Sequence, residues 1–213
     1  MTLGGDMPLP NRVDPFGNLF ADPARGLLMG NRGGRLHDDA QKLGARRWAS
    51  KQWICCNLEL NDRHRDVWGE GYCELFFLDE VTAFAAGHRP CFECQRRQAE
   101  NFAALFSGKT RCARAAAMDA ALHAERLNGR AKRTHSAMID DLPDGAMIAL
   151  GADAFAVREM RLLRWTPAGY ASAQPRPRAI AADVLTPASI LAVLKAGYSP
   201  LWHKSAADRG IQA

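Results

Sequence analysis

Two cysteines separated by two residues are the clearest chemical signal in this 213-residue sequence, in the run Pro90-Cys91-Phe92-Glu93-Cys94. When a Cys-x-x-Cys turn stands at the start of a helix, both thiolates can face one metal ion while backbone N–H groups stabilise their charge. The spacing therefore predicts that Cys91 and Cys94 supply two ligands of a Zn²⁺ site. A pair of buried thiols and a redox pair are the alternatives, although the sequence does not predict the β-α-β unit in which a redox pair would stand.

The twenty residues that end in this turn resemble part of a known metal-binding domain. Residues 75–94 are LFFLDEVTAFAAGHRPCFEC, and this run is similar to the end of the metal-binding domain of the Ada methylation-repair proteins. There, a strand and a short helix precede a Gly-x-Arg-Pro-Cys-x-x-Cys turn. The resemblance implies a zinc-bound thiolate that accepts a methyl group from a DNA phosphotriester. The cysteine that does this in the Ada family belongs to an upstream pair that the present chain lacks.

Two further segments resemble an uncharacterised bacterial protein family, and this resemblance implies no function. They are Gly-Asn-Arg-Gly at residues 30–33 and Leu-Leu-Arg-Trp-Thr-Pro-Ala-Gly-Tyr at residues 162–170. The first segment continues to Arg35, and its backbone N–H groups could cradle a phosphate. It lacks the Gly-Lys-Ser/Thr ending of a P-loop, however, and a flexible tether is the alternative.

A structural zinc ion takes four ligands, so two must come from outside the Cys-x-x-Cys turn. Cys56 is the predicted third ligand, because the alternation of apolar residues over 53–60 indicates a strand with Cys56 on its inward face. The fourth candidates are His37, His64 and His88, and we favour His37 because it ends a glycine-rich segment that could fold over the site. The other cysteines are predicted to be packing residues: Cys55, Cys73 and Cys112.

A second arrangement of zinc ligands is also present in the sequence. Zinc deaminases use a His-x-Glu pair together with Pro-Cys-x-x-Cys, and the Glu transfers a proton at the zinc site. This chain contains His123-Ala124-Glu125 as well as Cys91 and Cys94, but in the reverse order. Residues two apart on a helix point to nearly opposite sides, which argues against the pair. A hydrolase of the deaminase type, with Glu125 as its catalytic residue, is therefore the alternative hypothesis.

The pattern of apolar residues predicts an α+β fold in which a β-hairpin and a helix form an Ada-like zinc knuckle. Strands are predicted over residues 53–60 and 72–78, and the turn-rich stretch 61–71 predicts a hairpin loop between them. Asp79 is the expected N-cap of a short helix ending at Gly87. A longer helix is expected to run from Pro90 to Gly108.

The rest of the chain is predicted to form a small β-rich part and a C-terminal helix. A helix over 113–127 is followed by strands at 147–150, 155–158 and 161–165, a linker at 174–177, and a last helix with Thr186 as its cap and Pro187 in its first turn. These elements predict three parts: an extended arm over 1–35, a zinc-knuckle α+β domain over 36–130, and the β-rich segment with its helix over 131–213.

The charge balance predicts a nucleic-acid partner. The net charge is +5, and basic residues are clustered, as at Arg46-Arg47 and over 130–133. Such a surface suits DNA or RNA through counterion release, although an arginine-rich surface from a GC-rich genome is the alternative. No apolar run reaches the roughly 18 residues of a membrane span, and no signal-peptide pattern opens the chain. We expect a cytoplasmic zinc-binding protein that is associated with nucleic acid and keeps its cysteines reduced.

Overall fold

The computed structural model describes residues 8–59, 67–108 and 112–207, and in these ranges it contains four α-helices and three sheets. This mixture confirms the α+β class. The helices are α1 (Glu80–Ala85), α2 (Arg96–Ser107), α3 (Ala115–Arg126) and α4 (Ala188–Lys195). The strands are β1 (Arg12–Val13), β2 (Leu19–Phe20), β3 (Leu28–Asn31), β4 (Ile54–Asn57), β5 (Leu75–Phe77), β6 (Arg89–Pro90), β7 (Leu127–Asn128), β8 (Ala131–Lys132), β9 (His135–Met138), β10 (Met147–Leu150), β11 (Asp153–Arg158), β12 (Arg161–Thr166), β13 (Gly169–Pro175) and β14 (Ala181–Val184).

The first sheet contains six strands in the order β2-β1-β5-β3-β4-β6. Strand β3 lies between β4 and β5 and pairs antiparallel with both. Strands β4 and β5 therefore do not form the hairpin that the sequence predicts. The prediction failed because it joined strands that follow one another in the chain, as most neighbouring strands do, whereas β3 comes from the N-terminal segment.

Strand β3 fits between its neighbours because Gly30 permits a close approach. A Cβ atom on Gly30 would lie 2.1 Å from the carbonyl oxygen of Ile54, a distance that no side chain tolerates. The adjacent Leu28 and Met29 are buried. The N-terminal segment that we predicted as an arm thus contributes three strands, β1 to β3, to the first sheet.

The two helices around the Cys-x-x-Cys turn differ in how well the sequence predicts them. Helix α1 begins as expected, with the Asp79 side chain accepting a hydrogen bond from the Thr82 backbone N–H. Helix α2 begins at Arg96 instead of Pro90, because Pro90 belongs to β6, which pairs parallel with β4. Proline disfavours a helical conformation in the residue before it, so the chain stays extended at Arg89, and the helix begins six residues after Pro90.

The second sheet is antiparallel, with the order β13-β12-β11-β10-β14-β9. The strands predicted at 147–150, 155–158 and 161–165 correspond to β10, β11 and β12 and are confirmed. The predicted linker at 174–177 is wrong, since β13 extends to Pro175 and the Arg176 side chain donates to the carbonyl oxygen of Leu142 at 2.7 Å. The cap predicted for the last helix is also different: Thr186 accepts a hydrogen bond from Met147 N, and Pro187 precedes α4.

Helix α1 connects the two sheets through buried carboxylates at its start. Asp79 accepts hydrogen bonds from the Tyr170 hydroxyl at 2.8 Å and from His203 N at 3.0 Å. Glu80 accepts from the Tyr198 hydroxyl at 2.8 Å, and burial raises the pKa of Glu80 to about 7. These contacts fix the helix that leads into the Cys-x-x-Cys turn.

None of the helices in the described part of the chain has the length and apolar character needed to cross a bilayer.

Candidate metal centre

The pairing of β4 with β6 brings the Cys-x-x-Cys turn next to Cys56. The two strands run parallel, with Cys55 opposite Pro90, and Cys91 N donates to the carbonyl oxygen of Cys55 at 2.9 Å. Because successive residues of a strand face opposite sides, Cys55 points into the core of the first sheet and Cys56 points to the other face, towards Cys91. A strand edge thus positions the first two sulfur atoms.

The turn after Cys91 brings the third sulfur atom to the same place. Gln95 N donates to the carbonyl oxygen of Cys91 at 3.0 Å, and Glu93 N points at the Cys91 sulfur at 3.4 Å. Asn57, at the end of β4, holds the turn by donating to the carbonyl oxygen of Cys94 at 2.9 Å. The Sγ atoms of Cys56, Cys91 and Cys94 all lie within 4.8 Å of one another. We call these three residues the cysteine cluster; they form a group that could hold a metal ion.

Hydrogen bonding within the cysteine cluster makes its thiols unequal. The side chain of Cys56 hydrogen-bonds to Cys91, and this contact lowers the pKa of Cys91 strongly and raises that of Cys56. The cluster is mostly enclosed, since Cys56 and Cys91 are 3% and 8% exposed. A sulfur that loses its proton readily suits metal binding, because the thiolate is the form that coordinates a metal.

A cavity of about 760 Å³ opens beside the cysteine cluster, and we call it the cysteine cavity. All three sulfur-bearing residues line it, together with the carboxylates Glu74 and Glu93. Arg89 also lines it but is neutralised by Asp119, with Nε and Nη2 donating to the two carboxylate oxygens at 2.8 and 2.9 Å. The cluster therefore has space in front of it that a ligand could enter.

His37, the fourth ligand that we favoured, lies elsewhere. Its Nδ1 is 2.7 Å from the sulfur of Cys73, and its ring stacks on Trp68 with 4.9 Å between the ring centroids. The Cys73 sulfur also accepts a hydrogen bond from Leu36 N. The expectation that the glycine-rich segment would fold over the site was wrong, because this segment is fixed against Cys73 instead.

The other two candidate histidines do not complete the site in the described residues. His88 is fully buried between Phe77 and Trp53, with ring centroids 4.6 and 5.0 Å away, and its Nε2 faces Arg32. His64 lies outside the described residues. No other histidine, cysteine or carboxylate of the described ranges joins the cysteine cluster as a fourth candidate ligand. Of the remaining cysteines, Cys55 and Cys73 are buried as predicted, but Cys112 is exposed.

His123 and Glu125, the pair of the deaminase hypothesis, are not brought to the cysteine cluster. The Nδ1 atom of His123 lies 3.1 Å from an Arg126 nitrogen. The Glu125 carboxylate accepts hydrogen bonds from the backbone N–H and the hydroxyl of Ser189, at 2.9 and 2.5 Å, in the first turn of α4. Glu125 therefore stabilises the start of a helix, and the predicted pairing of these residues with Cys91 and Cys94 does not form.

Sequence reasoning missed the polar residues around the cluster. Glu74 and Arg89 line the cysteine cavity, and Asp119 comes from a helix thirty residues further along the chain. The available signal in the sequence was Arg89, which directly precedes Pro90 in the run over residues 75–94.

No protein-family model, curated protein or solved structure matches this chain.

Proposed function

We propose that the protein binds one Zn²⁺ through Cys56, Cys91 and Cys94. The spacing of the three sulfur atoms, within 4.8 Å of one another, is the observation that carries this proposal. A tetrahedral zinc with Zn–S bonds of about 2.3 Å holds its sulfurs about 3.8 Å apart, so only a small adjustment is needed. Thiolates also suit Cu(I) and iron–sulfur clusters, and the resemblance of residues 75–94 to the Ada domain favours zinc.

Metal analysis of the purified protein tests this proposal. We expect about one zinc per chain, because one group of three cysteines in the described residues could hold a metal ion. Cys56→Ser and Cys91→Ser should each lose the metal, because a site with two thiolates is incomplete. Cys112→Ser is the matched control, since this cysteine is exposed and lies apart from the cluster. Full zinc retention in both cluster variants would refute the site.

The fourth zinc ligand decides between a structural and a catalytic role. Structural sites have four protein ligands, whereas catalytic sites have three and one exchangeable position. We propose that the fourth position faces the cysteine cavity, which the described residues leave accessible. Cobalt-substituted protein provides the measurement: added imidazole should change its visible spectrum if the position is exchangeable. An unchanged spectrum in the parent, together with metal loss in His64→Ala, would instead identify His64 as a closing ligand.

We further propose that the protein associates with nucleic acid. A net charge of +5 and several exposed arginines support this proposal, as does the resemblance of its zinc turn to a DNA-repair domain. Exposed arginines flank the cysteine cluster at the start of α2. They are Arg96 and Arg97.

The salt dependence of binding tests the nucleic-acid proposal. Affinity for a DNA or RNA oligonucleotide should fall steeply with salt, with a slope of about 0.9 in log–log form for each duplex phosphate neutralised. Arg97→Ser should lower both affinity and slope, whereas Arg164→Ser, on the second sheet, removes the same charge as a control. An affinity that does not change with salt, or an equal loss of affinity in the two variants, would contradict nucleic-acid binding at the surface around Arg96 and Arg97.

A zinc-dependent hydrolase is the second candidate, because two carboxylates line the cavity beside the three thiols. In this form of the hydrolase hypothesis Glu93, and not Glu125, would transfer the proton at the zinc site. Ammonia release from cytidine and adenosine measures the deaminase form of this activity. If the candidate is right, Glu93→Gln keeps its zinc and loses turnover, since only the proton-transferring group is removed. No release by the parent protein would exclude deamination of these two nucleosides.

A further inference from the structure

A second cavity, of about 430 Å³, lies on the opposite face of the first sheet, and we call it the basic cavity. Asn31 and Ile54 line the cysteine cavity, whereas their sequence neighbours Arg32 and Trp53 line the basic cavity. This alternation follows from the pleat of a strand, which sends successive side chains to opposite faces. The cationic residues that line the basic cavity are Arg32, Arg47, Arg126, Arg130 and Lys132.

Two of these arginines are buried against the same indole ring. Arg32 and Arg126 are each 1% exposed. The guanidinium carbon of each lies 3.9 Å from the ring centroid of Trp53. The ring face stabilises a cation, and it also holds both guanidinium groups in fixed positions at the cavity.

The hydrogen-bond partners of Arg32 among the described residues are neutral. Its guanidinium donates to the carbonyl oxygen of Gly17 at 2.9 Å and to that of Arg47 at 3.4 Å. Its Nε lies 3.4 Å from Nε2 of His88, a ring that burial keeps neutral by lowering its pKa. Asp14 is near enough to act on Arg32 electrostatically, but its two carboxylate oxygens accept hydrogen bonds from Asn18.

Arg126 and Lys132 are likewise hydrogen-bonded to neutral carbonyl groups, although Asp119 acts on Arg126 and Asp14 acts on Lys132 electrostatically. Arg126 donates to the carbonyl oxygens of Gly87 and Lys51 at 2.8 and 2.7 Å, and its Nε is buried without a hydrogen-bond partner. The Lys132 ammonium donates to the carbonyl oxygen of Ala85. In the described ranges, no ion pair within 4.0 Å includes Arg32, Arg126 or Lys132.

Uncompensated cations in a protein interior are unfavourable, and a bound anion would offset their cost. Burial, with repulsion by neighbouring arginines as a further cause, lowers the pKa of Arg32 and of Arg126 to about 9 each and that of Lys132 to about 7. Buried cations are normally paired with carboxylates, as Arg89 is with Asp119. No carboxylate of the described residues lines the basic cavity, which therefore points to an anionic ligand.

We propose that the basic cavity binds a small phosphate-bearing anion through Arg32, Arg126 and Lys132, with Arg130 at its exposed edge. Guanidinium groups match the oxygen geometry of phosphate with paired hydrogen bonds. A phosphate carries more negative charge than a single carboxylate, which suits two buried guanidinium groups and one half-buried ammonium group. The volume of the cavity admits a phosphate group and a small body attached to it, but not a duplex.

Calorimetric titration with inorganic phosphate, in chloride buffer at constant ionic strength, tests this site. The parent protein should bind phosphate, and Lys132→Met should bind it at least about tenfold more weakly, because a charged hydrogen bond is lost. Arg133→Met is the matched control, since it removes the same charge from the next residue, which does not line the cavity. If Lys132→Met fails to fold, Arg130→Met provides the same comparison at an exposed position.

Two further titrations distinguish inorganic phosphate from the phosphate of a nucleotide or of an oligonucleotide as the ligand. A nucleoside monophosphate should compete with inorganic phosphate for the cavity, and both should weaken in Lys132→Met. A single-stranded oligonucleotide that binds without competing with phosphate belongs to the outer surface proposed above and leaves the cavity assignment intact. No phosphate binding by the parent protein, or an equal loss in Arg133→Met, would overturn the proposal.

Discussion

The two faces of the first sheet carry groups of opposite charge: thiols that can become anionic lie on one face, and cations lie on the other. On one face, the cysteine cluster gathers three sulfur atoms that become anionic when they bind a cation. On the other face, Arg32, Arg126 and Lys132 are cations that form no ion pair within the described part of the chain and donate hydrogen bonds to carbonyl oxygens. The alternation of side chains along an extended chain serves both sites, because Asn31 and Ile54 of β3 and β4 line the cysteine cavity while the adjoining Arg32 and Trp53 line the basic cavity.

The two sites differ most in how the chain assembles them. The cysteine cluster takes two members from one turn and the third from the strand that pairs beside it. The basic cavity draws on residues about a hundred positions apart, from the end of β3 to β8. A local motif therefore marks the first site. The second has no single motif, although Arg32 lies in the segment that could cradle a phosphate and Lys132 lies in the basic cluster over 130–133.

The largest expected effect comes from removing a counter-charge on the cysteine face. Asp119→Asn leaves Arg89 buried and unpaired, so the free energy of unfolding should fall by about 3 kcal/mol or more. Lys132→Met removes a cation that has no ionic partner, and its cost should stay below about 1 kcal/mol. Urea denaturation of both variants measures the difference. Equal losses would mean that the two faces do not differ in charge compensation.

The pH dependence of stability should reveal the basic face. Burial lowers the pKa of Lys132 to about 7 from its usual 10.5. Between these values the unfolded chain holds the extra proton, so this group makes the free energy of unfolding rise with pH, by at most about 1.4 kcal/mol per unit. Below about pH 7 both states are protonated and the contribution is constant.

Denaturation at pH 7 and pH 9 isolates this contribution when the parent is compared with Lys132→Met. The rise between the two pH values should be smaller in the variant, and saturating phosphate should reduce it in the parent. An identical pH dependence in parent and variant would show that Lys132 keeps its ordinary pKa in the folded protein.

The smallest effect is expected from Glu125→Gln, which touches neither site. The amide weakens the hydrogen bonds to Ser189 and should lower the free energy of unfolding by about 1 kcal/mol. Zinc content and phosphate affinity should equal those of the parent protein. Loss of a hydrolytic activity in this variant, with zinc retained, would reopen the deaminase arrangement, because the glutamate of that arrangement transfers a proton and does not bind the metal.

The sequence alone determined the parts of this protein that depend on neighbouring residues. The Cys91–Cys94 spacing, the cap at Asp79 and the strands at 147–150 and 161–165 all follow from local patterns, and the structure has each of them. Cys56 was also chosen from the sequence, because strand alternation places adjacent cysteines on opposite faces. The face was assigned wrongly, since Cys55 points into the core of the sheet and Cys56 points to the turn.

Only the tertiary structure decided the long-range partners. The position of β3 between β4 and β5 separates two strands that adjacency would have paired. That pairing places the N-terminal segment in the sheet, and His37 lies against Cys73 instead of the cluster. It also buries Arg32 beside Trp53, opposite Arg126 and Lys132. Contacts between segments far apart in the chain depend on how the sheet is ordered, and residue types and local spacing do not specify that order.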